Sequence, residues 1–242
     1  MTHDTREHVS VRLPPEPHLV PRGSWFDWLT LALLVAVTVA LAAETPLIKL
    51  DIAIRAYADA NRPVIAEIIA TGLNYLGQGM PLTLLCLGLA IWQSRRLGTW
   101  EPVLPVVCAF TFTYVSIGAI KFFTDRGAPH YGSVLLFSEA TGQSYPSGHA
   151  ANVIVWYGVL TMLLSPFLGI WPRRLLRYGP PILVAFATTY LGYHWFTDAI
   201  AGLLVGILVD RMLRRNPWRH WPWLMERLNR KQQPGLARTV TE

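Results

Sequence analysis

Apolar residues in this chain come in blocks. Residues 25–43 read WFDWLTLALLVAVTVALAA, with one charge near the start. That run is long enough to cross a hydrocarbon core of about 30 Å. Comparable blocks follow at 80–93, 103–120, 150–168, 181–193 and 199–209. The shorter ones extend through flanks of intermediate polarity, so the pattern predicts six membrane-spanning helices in an all-α bundle. Between the first two blocks, residues 44–74 mix apolar and charged positions at helical spacing. This predicts one or two amphipathic helices on the outer surface, lining a lipid entrance. A soluble protein with buried core helices is the competing reading, and the number of long apolar runs argues against it.

Three regions follow. Residues 1–23 form a polar tail without the apolar stretch of a cleavable signal peptide. Residues 24–213 form the membrane domain. Residues 214–242 are basic and Trp-rich at first and then polar, which predicts an interfacial helix with a disordered end.

Composition sharpens this picture. Hydrophobic residues make up 52% and charged residues 15%, against about 25% charge in ordinary soluble domains. The net charge of +6 raises the question of a nucleic-acid partner, but its distribution argues against one. Arg95 and Arg96 follow the second block. Arg173, Arg174 and Arg177 follow the fourth, and Arg211, Arg214, Arg215 and Arg219 follow the sixth. With six crossings all three groups share one side, which the positive-inside rule makes cytoplasmic, together with both termini. The other side carries only Lys49, Arg55, Arg62, Lys121 and Arg126. Many of the ten tryptophans lie near span ends, as an interfacial aromatic belt requires. Cys86 and Cys108 fall inside predicted spans and read as packing residues rather than a disulfide or metal site.

Three polar clusters mark the outer ends of the spans. The third span ends in Lys121, then FFTDRGAP and His130. The fourth starts with Tyr145 and Pro146-Ser147-Gly148-His149. The junction of the fifth and sixth reads YLGYHWFTD, ending at Asp198. The topology rests on the arginines, so the convergence of these clusters on one side is separate evidence. Ionisable groups at a membrane edge are functional candidates. Taken singly, each has a bland reading. His194 and Asp198 could staple a helix, the Pro-Ser-Gly-His segment could be a turn, and Lys121 could snorkel. Arg126 could be an interfacial anchor or a partner of Asp125, and His130 an ordinary loop residue. Glu139 reads as solvated.

Together the clusters resemble the type 2 phosphatidic acid phosphatase superfamily, the lipid phosphate phosphatases. That family carries Lys, six residues, Arg-Pro; then Pro-Ser-Gly-His; then Ser-Arg, five residues, His, three residues, Asp. The second motif is complete here. The third keeps His194 and Asp198, and the first keeps Lys121 and Pro129. Ala128 stands at the first motif's arginine and Ala187-Thr188 at the Ser-Arg pair, so two phosphate-binding arginines of the family are absent. Arg126 is the expected substitute and His130 a weaker one. Losing two charge-assisted hydrogen bonds, at about 1.5–3 kcal/mol each, would slow turnover by roughly a hundred- to ten-thousand-fold.

The resemblance implies a metal-independent enzyme without a cofactor that hydrolyses a lipid phosphate or diphosphate at the outer face of the cytoplasmic membrane. It implies His194 as nucleophile forming a phosphohistidine, Asp198 as the partner of its other nitrogen, and His149 as general acid and then base. Lys121, Arg126, Pro146, Ser147, Gly148 and His130 would surround the phosphoryl group, helped by a helix N-terminus at the fourth span. Expected partners are the lipid phosphate and membrane lipids, with no nucleic acid. Polyprenyl phosphates or diphosphates, prenyl-sugar phosphates, phosphatidylglycerophosphate and phosphatidate all fit. Phosphotransfer to a lipid or sugar hydroxyl is an alternative use of the same histidine, and a catalytically weak lipid binder is another. A transporter fits less well, since transporter sites lie near the bilayer midplane.

Overall fold

A computed structural model describes residues 23–130, 132–138 and 143–215. These residues form eight helices and, among themselves, no strand. They are α1 (Trp25–Ala42), α2 (Leu47–Ala60), α3 (Val64–Tyr75), α4 (Gly79–Leu97), α5 (Val103–Thr124), α6 (Gly148–Leu163), α7 (Ile170–Tyr190) and α8 (Phe196–Arg214). By length and apolarity α1 and α5 can each cross a membrane alone. Helices α3 and α4 meet that test together as a pair bent by 42°. The chain is thus a multi-pass, all-α membrane protein.

The six blocks expected to span fall on helices α1 and α4 to α8, of which α1, α5 and the bent α3–α4 pair are long and apolar enough to cross a membrane; the helix bounds shift from the blocks for local reasons. The fourth block divides: α6 stops at Leu163, and residues 164–168 make the turn into α7. α7 starts at Ile170, eleven residues before its apolar block, so Arg173, Arg174 and Arg177 lie in its first turns rather than in a loop. Two amphipathic helices do occupy 44–74, but α3 carries enough apolar surface to continue into α4 across the bend. Residues 1–22 and 216–242, including Arg219 and most of the expected tail helix, lie outside the described residues, as do Tyr131 and Glu139.

The core is built around α6. Its sequence GHAANVIVWYGVLTML is small or apolar on every face, and it is buried almost throughout against α4, α5, α7 and α8. Small residues let α8 come close. A Cβ on Gly202 would run into the Ser147 carbonyl, and one on Gly206 would lie 2.9 Å from the Ala151 carbonyl. Leu82, Cys86, Val106, Val153, Trp156 and Leu213 form the largest apolar cluster. Cys86 is buried and Cys108 half-buried, both as free thiols.

Side-chain ties define two ends. At one, the Thr38 hydroxyl near the end of α1 meets the Tyr145 hydroxyl just before α6, at 2.6 Å. At the other, Arg211 of α8 and Arg215 just after it pair with Asp27 at the start of α1. There too Arg177 and Arg214 grip Asp210, and Gln93 donates to the Leu163 carbonyl at 2.5 Å. Arg95 and Arg96 close α4 at this end, where Gly98 caps it with φ 64°. The three basic groups therefore gather at one end of the bundle, and the histidines at the other.

Candidate functional site

Three helix ends and one loop build the histidine end. α5 closes with Lys121 in its last turn, and Asp125 caps it with φ 34°. Asp is one of the few residues that tolerate this left-handed region. The reversal turns Arg126 back under the bundle. The loop is tied down at several points: Phe137 N–H to the Thr124 carbonyl at 2.7 Å, Ser144 N–H to the Arg126 carbonyl at 2.8 Å, and Trp195 Nε1 to the Gly127 carbonyl at 2.8 Å. Lys121 Nζ donates to the Gln143 carbonyl.

The Tyr145-Pro146 peptide is cis and leads into Ser147, the N-cap of α6, whose hydroxyl accepts from Ala150 N–H at 3.3 Å. Ser147 N–H in turn donates to the Asp198 carbonyl at 2.9 Å, which locks the starts of α6 and α8 together. Burial of the Tyr145 phenol pushes its pKa up to about 12, so it acts as a neutral hydrogen-bonding group. A Cβ placed on Gly148 would meet nothing within 4 Å, so open space faces the first turn of α6.

His149 in that first turn and His194 lie close together, with ring centroids 6.0 Å apart and planes at 61°. Gly77, in the α3–α4 turn, packs behind His149: a Cβ there would lie 3.2 Å from the His149 Cβ. His194 leaves α7 through a tight turn in which the Thr188 carbonyl accepts from Tyr193 N–H at 3.0 Å and His194 N–H at 3.4 Å. Gly192 carries that turn at φ +72°, a conformation that glycine adopts without strain. Lys121 lies within electrostatic range of His149 and Asp198.

Asp198 Oδ2 is 3.8 Å from His194 Nδ1, ion-pair range but beyond a hydrogen bond. His194 Nδ1 is buried and has no hydrogen-bond partner. The carboxylate is held from its other sides, by Arg126 Nη1 at 2.6 Å and Trp195 N–H at 3.0 Å.

Arg126 differs from expectation. It is fully buried, and its donors end on Asp198, on Thr197 Oγ1 at 2.7 Å, on Asp51 at 2.6 Å and on the Val134 carbonyl at 2.8 Å. It lies beneath the histidines, not beside the open space. The αL residue before it explains why: the chain doubles back at Asp125, and the guanidinium follows it inward. His130 reaches the site's edge, where Nδ1 accepts from Arg55 Nη2 at 3.2 Å and Nε2 donates to the Leu191 carbonyl at 3.0 Å. These roles are forced, because a guanidinium only donates and a carbonyl only accepts.

Asp51 and Arg55 went unnoticed in the sequence as site residues, as did Thr197. Asp51 accepts from Arg126, from Thr197 N–H at 3.0 Å and from Thr197 Oγ1 at 2.6 Å. A signal existed. Asp51 shares the buried face of α2 with Ile48 and Ala58, and an acid on an apolar face needs a partner.

The described residues thus form a membrane helical bundle with two neighbouring histidines and a buried carboxylate 3.8 Å from one of them. The PAP2 superfamily model matches residues 102–222, half of the 242-residue chain, and the chain belongs to that family. It is 42% identical over 72 residues to an undecaprenyl-diphosphatase of Sulfolobus acidocaldarius, a stretch covering 30% of this chain and 32% of that protein. It is 25% identical over 197 residues to phosphatidylglycerophosphatase B of Bacillus subtilis, covering 78% of this chain and 90% of that protein. The crystal structure of a PAP2-type phosphatidylglycerolphosphate phosphatase from Bacillus subtilis superposes with a TM-score of 0.66. It is 21% identical and covers 80% of this chain and 96% of that one, which establishes the shared fold.

Proposed function

We propose that this chain is an integral membrane lipid phosphatase that hydrolyses a lipid phosphate or diphosphate through a phosphohistidine. The observation that carries the proposal is the pair His149 and His194, with rings 6.0 Å apart, at the start of α6, where a Cβ on Gly148 would meet nothing within 4 Å. Relatives named for undecaprenyl diphosphate and phosphatidylglycerophosphate support a lipid substrate.

His194 Nε2 attacks phosphorus as the bond to the lipid oxygen breaks, and His149 gives that oxygen its proton. Water then attacks the phosphohistidine, with His149 taking its proton, and inorganic phosphate leaves. Asp198 favours the Nδ1–H tautomer of His194 and stabilises the cationic ring. From 3.8 Å, a closure of roughly 1 Å brings it to hydrogen-bond length. Lys121 and the α6 N-terminus, capped by Ser147 and opened by Gly148, bind the phosphoryl oxygens. Pro146 sets the entry into that turn, and His130 borders the site. Arg126 holds Asp198 in position rather than touching phosphate. With the arginine-rich end in the cytoplasm, the site faces the extracytoplasmic side of the inner membrane.

The test is phosphate release by detergent-purified protein, with a chelator present, across polyprenyl phosphates and diphosphates, phosphatidylglycerophosphate and phosphatidate. His194→Ala is expected to lower turnover by at least about 10³-fold, and His149→Ala to retain label from ³²P-substrate as an acid-labile adduct. Release that survives His194→Ala would sink the mechanism. Label transferred to an added lipid alcohol in preference to water would turn the reading to phosphotransfer.

A further inference from the structure

The phosphatase reading leaves a shortage of positive charge. A phosphate monoester or diphosphate brings close to two negative charges or more, and Arg126 is buried between two carboxylates beneath the site. Of the cations at this end that the proposed mechanism uses, Lys121 is the one left to meet the phosphoryl group. A second guanidinium approaches from α2.

Arg55 is one turn along from Asp51 on α2, and its side chain is 16% exposed. Its Nε pairs with Asp59 at 2.8 Å and its Nη2 donates to His130 at 3.2 Å. Its Nη1 is buried with no hydrogen-bond partner. The guanidinium lies directly on Gly192: a Cβ there would collide with Nη1 and lie 3.0 Å from Nη2. Gly192 is two residues before His194, in the turn that delivers it. The missing Cβ is thus what admits an arginine to this place.

Two of the three nitrogens are committed and fix the fork. The third is desolvated and unspent, a costly state unless a ligand takes it. His130 orients the fork, its Nδ1 accepting from Arg55 Nη2. Arg62 steadies the same segment by donating to the Tyr190 carbonyl at 2.7 Å and to Asp59 at 2.8 Å.

We infer that Arg55 is a substrate-binding residue, directing Nη1 to a phosphoryl oxygen of the group held at His194 and standing in for the arginine absent at Thr188. This rests on the phosphatase reading, but it can be tested apart from turnover.

Orthovanadate, a phosphoryl mimic, is titrated against the purified full chain, and binding is followed by the rise in thermal unfolding midpoint. Arg55→Gln is expected to weaken vanadate binding about 10- to 100-fold with a ligand-free midpoint close to wild type. Arg55→Lys, which keeps charge but loses the fork, is expected to fall between. The lipid phosphatase assay should show the same order in kcat/KM.

Unchanged vanadate affinity in Arg55→Gln overturns the inference. So does a lowered ligand-free midpoint with affinity preserved, which would make Arg55 only a clamp between α2 and the turn. If Arg55→Gln does not fold, Arg55→Lys decides on the same criterion. Wild-type protein that binds vanadate through Arg55 but releases no phosphate from any lipid sinks the phosphatase reading and leaves this one standing. Wild-type protein that binds no vanadate sinks the Arg55 assignment.

Discussion

The two ends of the bundle carry charge clusters of opposite design. At the arginine-rich end, aspartates are at the centre: Asp210 lies between Arg177 at 2.6 Å and Arg214 at 3.1 Å, and Asp27 between Arg211 and Arg215. At the histidine end an arginine is at the centre, with Asp51 and Asp198 each at 2.6 Å from Arg126. The first arrangement leaves excess positive charge, suited to anionic headgroups. The second leaves a net negative charge under an imidazole whose Nδ1 has no partner. One cluster fastens helices together. In the proposed mechanism, the other also holds a carboxylate ready for a ring that becomes cationic.

Asp198 provides the strongest test of this contrast. Asp198→Ala strips Arg126 of one carboxylate, and breaking such a buried pair costs about 3–5 kcal/mol. It also removes the partner of His194. Asp198→Asn keeps the shape and is the cleaner variant, with turnover expected to fall about 10³- to 10⁴-fold by analogy with the acid of a catalytic triad. Denaturation midpoints and phosphate release, measured on the same preparations, separate the two losses. Full turnover in folded Asp198→Asn would break the comparison.

The matching change at the other end is Asp210→Asn. Arg177 and Arg214 then lose their shared anion, and stability is expected to fall by about 3 kcal/mol. Turnover per folded molecule should stay at the wild-type value, because no described group at that end reaches the histidines. A loss of turnover beyond the folded fraction would show that the two clusters are coupled through α8.

The contrast was only half visible in the sequence. Helices, their alternation and the gathering of arginines at one end follow from apolar blocks and loop charges, since both depend on local sequence. Pro146, Ser147, Gly148, His149, His194 and Asp198 stand out because their spacing repeats a family motif. Arg126 was visible as a residue but not as a buried one. Its direction depends on the φ of 34° at Asp125 and on Asp51, 75 positions away in the chain. Arg55 was hidden for a similar reason. A basic residue on an amphipathic helix reads as a solvated anchor until the fold lays it on Gly192. The length of α7 was underestimated because its first turns are polar, and hydropathy registers lipid contact rather than helix.

The smallest expected effects come from two glycines on the α6–α8 contact, one toward each end. Gly202→Ala would press a methyl group into the Ser147 carbonyl, and Gly158→Ala would press one into the Asp210 carboxylate. Overpacking of this kind costs about 1–3 kcal/mol, so the two variants should be similarly destabilised. Their activities should differ. Ser147 is backbone that cannot yield without moving the α6 N-terminus and the Asp198 carbonyl bonded to it at 2.9 Å. Gly202→Ala should therefore lower kcat as well as the unfolding midpoint. Asp210 is a side chain, and its displacement is absorbed by Arg177 and Arg214 far from the histidines, so Gly158→Ala should lower the midpoint alone. Equal kcat values in the two variants would mean that the start of α6 tolerates displacement, and that phosphoryl binding does not depend on its exact placement.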